Sequence, residues 1–217
     1  MKKLLRENSL TLVMTGLFLF ALGGQIVAGS AEYNQEQTDH GGQPISIGTY
    51  LTTGHFGEAV FENWESEFLQ MGLFVLLTVW LRQKGSPESK SLDGDEDVDR
   101  EPDPTRSGAP WAVRAGGLVA GIYRHSLSLA LLGLFAVSFT LHVVTGAAAD
   151  SAEQIAHGGS AVSPLEYLTT SRLWFESFQN WQSEFMSIGA LALLAIFLRE
   201  QGSPESKPVD APDSETG

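Results

Sequence analysis

Two stretches of this chain, Ser9 to Ala28 and Ser126 to Ala149, contain no charged residue. At roughly 1.5 Å per helical residue, each is long enough to cross a hydrocarbon core of about 30 Å, and both read as membrane spans. Two further apolar runs, Phe68 to Leu81 and Phe185 to Leu198, cover only about 21 Å at the same rise. They borrow residues from their flanks, which predicts spans over 61–81 and 178–198. The expected fold class is therefore an all-α membrane protein of four transmembrane helices. A mean hydropathy near zero hides this division into very apolar and very polar segments. The net charge of -13 is concentrated in connecting segments and tails, and it argues against nucleic-acid binding. With no cysteine, disulfides, Cys-ligated metals and a thiol nucleophile are excluded. Lys2 and Lys3 before an apolar run resemble a signal peptide, but the run is longer than a usual signal core and has a counterpart in mid-chain, so a retained span is expected.

Sliding the sequence by 117 positions aligns Arg6–Lys90 with Tyr123–Lys207 without a gap, and about 35 of roughly 85 pairs are identical. This predicts a tandem duplication of a two-helix unit. His40-Gly41-Gly42 matches His157-Gly158-Gly159, Tyr50-Leu51-Thr52-Thr53 matches Tyr167-Leu168-Thr169-Thr170, and Gly85-Ser86-Pro87-Glu88-Ser89-Lys90 matches residues 202–207. One reading is a recent duplication whose retained blocks are helix caps and turns, because Gly and Pro have demanding backbone roles; retention for function is the other.

The expected organisation is a first membrane unit over 1–90, an acidic disordered linker over 91–110, a second unit over 111–207 and a disordered tail over 208–217. The linker carries the run Asp93 to Asp99 and three prolines, too little apolar surface to fold. Trp111 to Tyr123 suits a short interfacial helix. Lys2, Lys3, Arg6, Arg199, Lys207 and the seven basic residues from Arg82 to Arg124 fall on one side of the spans, and only Arg172 falls on the other. By the positive-inside rule both termini and the linker are cytoplasmic and the His-Gly-Gly loops face outward, in a multi-pass protein of the plasma membrane. The repeats then share one orientation, with a pseudo-two-fold axis along the membrane normal. Gly16, Gly24, Ala28, Gly133, Ala136 and Gly189 are the small residues expected to let helices pack closely.

Counting helical rise from the inner ends Ser9 and Leu81 places Gln25 and Glu67 at roughly 24 and 21 Å, nearly level. By register His142 and Glu184 are level in the second unit. Gln25, His142, Glu67 and Glu184, with Asn63 and Asn180 as donors, are thus expected to form one polar cluster, a functional candidate because ionisable groups at membrane depth are costly. Wet helix ends, with glutamates favoured by the helix dipole, would give the same pattern without function. Trp64 and Trp181 read as interface anchors. His40 and His157 read as turn residues beside Gly-Gly pairs; two histidines without a defined ligand spacing specify no metal site, although with Asp39 or Glu36 they could hold one if the loops met.

No nucleophile elbow, phosphate-binding loop, His-Glu-x-x-His or haem attachment motif is present, so neither a cofactor nor an enzyme is expected. The strings Tyr33 to Gln37 with His40-Gly41-Gly42, Phe61 to Phe68, and Leu81-Arg82-Gln83 with the Gly-Ser-Pro-Glu-Ser-Lys block resemble a family of bacterial membrane proteins catalogued only as a domain of unknown function. The resemblance implies a doubled multi-pass protein and brings no activity with it. In the second unit Tyr33-Asn34 becomes Asp150-Ser151, a departure from the block. The function expected is a non-enzymatic component that binds a membrane or envelope partner through its outer loops or its Gly-Ser-Pro-Glu-Ser-Lys stops. The alternative is a proton or cation conductor through the Glu/His/Gln cluster, which predicts a homo-oligomer because four helices enclose a narrow pore.

Overall fold

A computed structural model describes residues 2–216, and every regular element among them is helical. The order is α1 (Lys2–Glu7), α2 (Ser9–Asp39), α3 (Ile47–Tyr50), α4 (Gly54–Leu77), α5 (Trp111–Ala115), α6 (Gly117–Arg124), α7 (Ser126–Ala156), α8 (Pro164–Tyr167) and α9 (Ser171–Leu194). Two of these, α2 and α7, are long and apolar enough to cross a membrane. The bounds of α2 and α7, of α3 and α8, and of α4 and α9 each lie 117 positions apart.

The helices overrun the apolar runs on one side and fall short on the other, for local reasons. The expected 61–81 and 178–198 segments begin seven residues earlier as helix, at Gly54 and Ser171. Thr53 Oγ1 accepts from the Phe56 amide and Thr170 Oγ1 from the Leu173 amide, so each retained Thr caps the next helix. Both helices stop four residues short, at Leu77 and Leu194. There the Leu77 and Leu194 carbonyls accept from the Leu81 and Leu198 amides in a closing turn, and Arg82 Nη1 donates to the carbonyls of Val79 and Leu81, Arg199 Nη1 to those of Ile196 and Leu198, within the turn that follows each helix.

The described chain divides into two compact units, one of Met1–Val60 with Leu141–Thr169, the other of Phe61–Thr140 with Thr170–Gly217. In the first unit close approach falls on glycines other than those expected. A Cβ on Gly29 would lie 2.4 Å from the Tyr50 hydroxyl, and one on Gly146 would lie 2.6–2.8 Å from the Tyr167 ring. Gly54 and Gly57 likewise meet α7 at Ala149 and Thr145. Gly16, Gly24, Gly133 and Gly189 have nothing within 4 Å of an added Cβ, so for these four glycines the expectation of close packing is corrected: the close contacts follow the tyrosine seats and the start of α4. In the second unit Gly72 packs on Leu131 and Leu132, while Phe135, Phe139, Trp174, Phe178 and Trp181 form a chain of rings 5.4–6.3 Å apart.

The departure at Asn34 is also resolved. Asn34 Oδ1 accepts from the Ile45 amide and its Nδ2 donates to the Ile45 carbonyl. Ser151 Oγ makes the same pair of bonds to Val162, so two different side chains fasten equivalent loops. Residues 91–110 hold turns and bends with no helix. Residues 208–216 fold back, with the Lys207 ammonium donating to the carbonyls of Pro212, Asp213 and Glu215.

Candidate functional site

The first unit buries ionisable groups around one carboxylate. Thr53 starts α4 so that Glu58 falls on its second turn, where the side chain is 6% exposed. Tyr167 is fully buried because Gly146 leaves room for its ring, and its hydroxyl donates to Glu58 Oε1 at 3.0 Å. His142, one turn before Gly146 on α7, is also fully buried. A ring nitrogen of His142 and a carboxylate oxygen of Glu58 lie within 4.8 Å of each other. Asp150, two turns further along α7, is buried as well. Carboxylate, imidazole and phenol together can hold a proton between them or offer oxygen and nitrogen ligands to a small cation.

Tyr50 occupies the equivalent seat against Gly29, but its hydroxyl meets His55 Nδ1 at 3.3 Å. The Tyr33 and Phe56 rings complete this second pocket. Burial, and then the nearby Glu32 charge, raise the Tyr50 phenol above its ordinary pKa. The two seats are alike in backbone and ring, and differ in what the phenol contacts.

In the second unit Glu65 is fully buried. Its Oε1 accepts from the Ser177 hydroxyl at 2.7 Å and the Trp181 indole N–H at 3.2 Å. The side chains of Glu65 and Ser177 are both fully buried, which makes this a satisfied buried polar contact. Glu67 and Glu184 lie close enough for their charges to interact. Farther along the same unit, the Glu88 and Glu205 carboxyls share a hydrogen bond, and burial followed by this contact raises the Glu88 pKa above its ordinary value. An open cleft of about 540 Å³ beside them is lined by residues that include Val75, Val79, Glu96 and Val98, and a Lys90–Asp99 ion pair stands at its wall.

Of the six residues expected as one cluster, Gln25 and His142 belong to the first unit, and Asn63, Glu67, Asn180 and Glu184 to the second. Gln25 donates to the Ala59 carbonyl at 3.4 Å, eight residues short of Glu67. The end of α4 accounts for half of that offset. Counting sixteen residues inward from Leu77, where the helix stops, reaches Phe61, about half a turn from Ala59. Asn180 spends its amide on the Glu176 carbonyl of its own helix. Trp64 is more than a third exposed, whereas Trp181 turns its indole N–H inward to Glu65.

The buried acids Glu58 and Glu65 were not singled out by the sequence. Their register partners are Phe175 and Gln182, so the repeat carried no signal for either. Tyr167 did carry one, as part of the retained Tyr-Leu-Thr-Thr block.

A family model described as Domain of unknown function (DUF6766) matches residues 1–217. The chain belongs to that family. No curated protein and no solved structure matches it. For this member of DUF6766 the functional argument therefore rests on its own residues.

Proposed function

We propose that this DUF6766 chain is a multi-pass membrane protein that takes up a proton or small cation at Glu58, His142 and Tyr167. The observation that carries this is the near-complete burial of all three side chains around one carboxylate. A buried carboxylate costs free energy that a purely structural role would recover more cheaply with an apolar residue. In this reading α4 and α9, each of 24 residues and about 36 Å long, join α2 and α7 as spans. A tandem duplication with parallel repeats is supported by register partners that meet one another: His40 with His157, and Glu88 with Glu205. Residues on a pseudo-two-fold axis are the ones expected to touch their own equivalents. Both termini and the linker lie in the cytoplasm of a bacterial cell, and chains associate if a conducting path is to form.

The test is flux in proteoliposomes holding the full chain, driven by a pH or alkali-cation gradient. Glu58→Gln and His142→Asn should each lower the rate at least tenfold, and Tyr167→Phe should lower it less. Glu67→Gln should leave it unchanged. A wild-type chain without flux, or one whose flux survives Glu58→Gln, would overturn the proposal.

A second reading, partner binding, has one observation behind it. The apolar window of α2 has no buried residue, and Leu10 and Phe20 stand open, as suits contact with lipid or with a helix of another membrane protein. The Gly-Ser-Pro-Glu-Ser-Lys stops offer it less support. Ser89 Oγ accepts from the Gln83 amide and Ser206 Oγ from the Glu200 amide, so these blocks spend side chains on their own turns. Recovery of one stoichiometric partner, lost on polar substitution along α2, would favour this reading.

A further inference from the structure

The His-Gly-Gly turns contain more than turn geometry requires. Gly41 and Gly158 adopt φ of 79° and 78°, the left-handed position that ends a helix. The Gly42 and Gly159 amides donate to the Gln37 and Gln154 carbonyls at 2.7 Å, and a Cβ on either glycine would press on that carbonyl at 3.0–3.1 Å. Both glycines are thereby explained. The histidine is not, since many residues can occupy the cap position.

What the histidines do is the same in both copies. Nδ1 of His40 lies 2.9 Å from the Glu36 carbonyl, and Nδ1 of His157 lies 2.9 Å from the Glu153 carbonyl. A carbonyl only accepts, so Nδ1 carries the proton, and the lone pair of each neutral ring is left on Nε2. A backbone carbonyl fixing the tautomer in this way is the usual outer support of a metal-binding imidazole. The two exposed rings stand edge to face with centroids 5.9 Å apart. Two imidazoles bound to one ion at about 2.0–2.1 Å have centroids about 5 Å apart, so the observed separation exceeds that by about 1 Å.

We infer that His40 and His157 bind one divalent transition-metal ion through their Nε2 atoms. Imidazole donors select Zn²⁺, Cu²⁺ or Ni²⁺ over Mg²⁺ and Ca²⁺. The other coordination positions are open to water. The two ligands come from opposite halves of the chain, so the ion ties α2 to α7 at their ends.

The experiment is calorimetric titration of the full chain in detergent micelles with Zn²⁺, repeated with Mg²⁺. His40→Asn and His157→Asn remove one ligand each and keep an amide donor for the same carbonyl, so the turns are preserved. The expected result is one Zn²⁺ per chain at micromolar concentration, with no Mg²⁺ competition. Either variant should weaken it at least tenfold, with unchanged melting in the absence of zinc. His142→Asn should leave this binding intact, which separates the site from the Glu58 cluster. Wild-type affinity in either His-loop variant, or no Zn²⁺ uptake below millimolar concentration, overturns the inference.

Discussion

At the scale of single residues the tyrosine seats are the most constrained points in the first unit. Gly146→Ala would set a methyl carbon 2.6 Å from the Tyr167 ring, a distance that requires backbone movement. A cost of about 1–3 kcal/mol is expected for overpacking of this kind, read as a lower melting temperature in detergent. Gly133→Ala, with nothing near its added carbon, is the control and should be neutral or slightly stabilising. The retained Tyr-Leu-Thr-Thr block made Tyr50, Tyr167, Thr53 and Thr170 visible in the sequence, because each has the same backbone task in both copies. Glu58 and Glu65 were hidden for the opposite reason. Burial of a carboxylate depends on which side chains converge on it, and neither helical period nor repeat identity encodes Ser177 or Tyr167 as its donor.

At the scale of elements the stops behave as paired caps, and the pair has a pH dependence. The Glu88 carboxyl sits above its ordinary pKa through burial and through Glu205, so the folded state binds more protons than the unfolded chain between the two pKa values. Stability contributed by the pair is thus present at low pH, and it falls as pH rises from about 4.3, the free carboxylate value, through the raised folded value. Glu88→Gln keeps a hydrogen-bonding group without the charge. It should melt higher than wild type at pH 7.5 and show no advantage at pH 4.5; the same difference at both pH values would sink this account. Helix existence was legible from the apolar runs, whereas helix ends were not. The ends at Leu77 and Leu194 each lie four residues inside the expected ones, and that displacement accounts for half of the eight residues between Glu67 and Ala59, the carbonyl that Gln25 meets.

At the scale of the whole molecule the distribution of basic residues makes a direct prediction about sidedness. Single cysteines at Gln43 and Ser160, introduced into a chain that has none, should react with an impermeant thiol reagent added outside intact cells. A cysteine at Asp93 should react only after permeabilisation. Labelling of Asp93→Cys from outside would reverse the proposed orientation.

Both fully or nearly fully buried glutamates, Glu58 and Glu65, lie on α4, and α9 offers Phe175 and Gln182 at the matching positions. The halves are therefore not spare copies of each other. A gene made of the first half twice over would bury four acids and lack Ser177 as a donor, while the second half twice over would bury none at those positions. If the chain arose by the proposed duplication, selection can no longer let one half decay under cover of the other, and the doubled length is held in place by the division of labour between them.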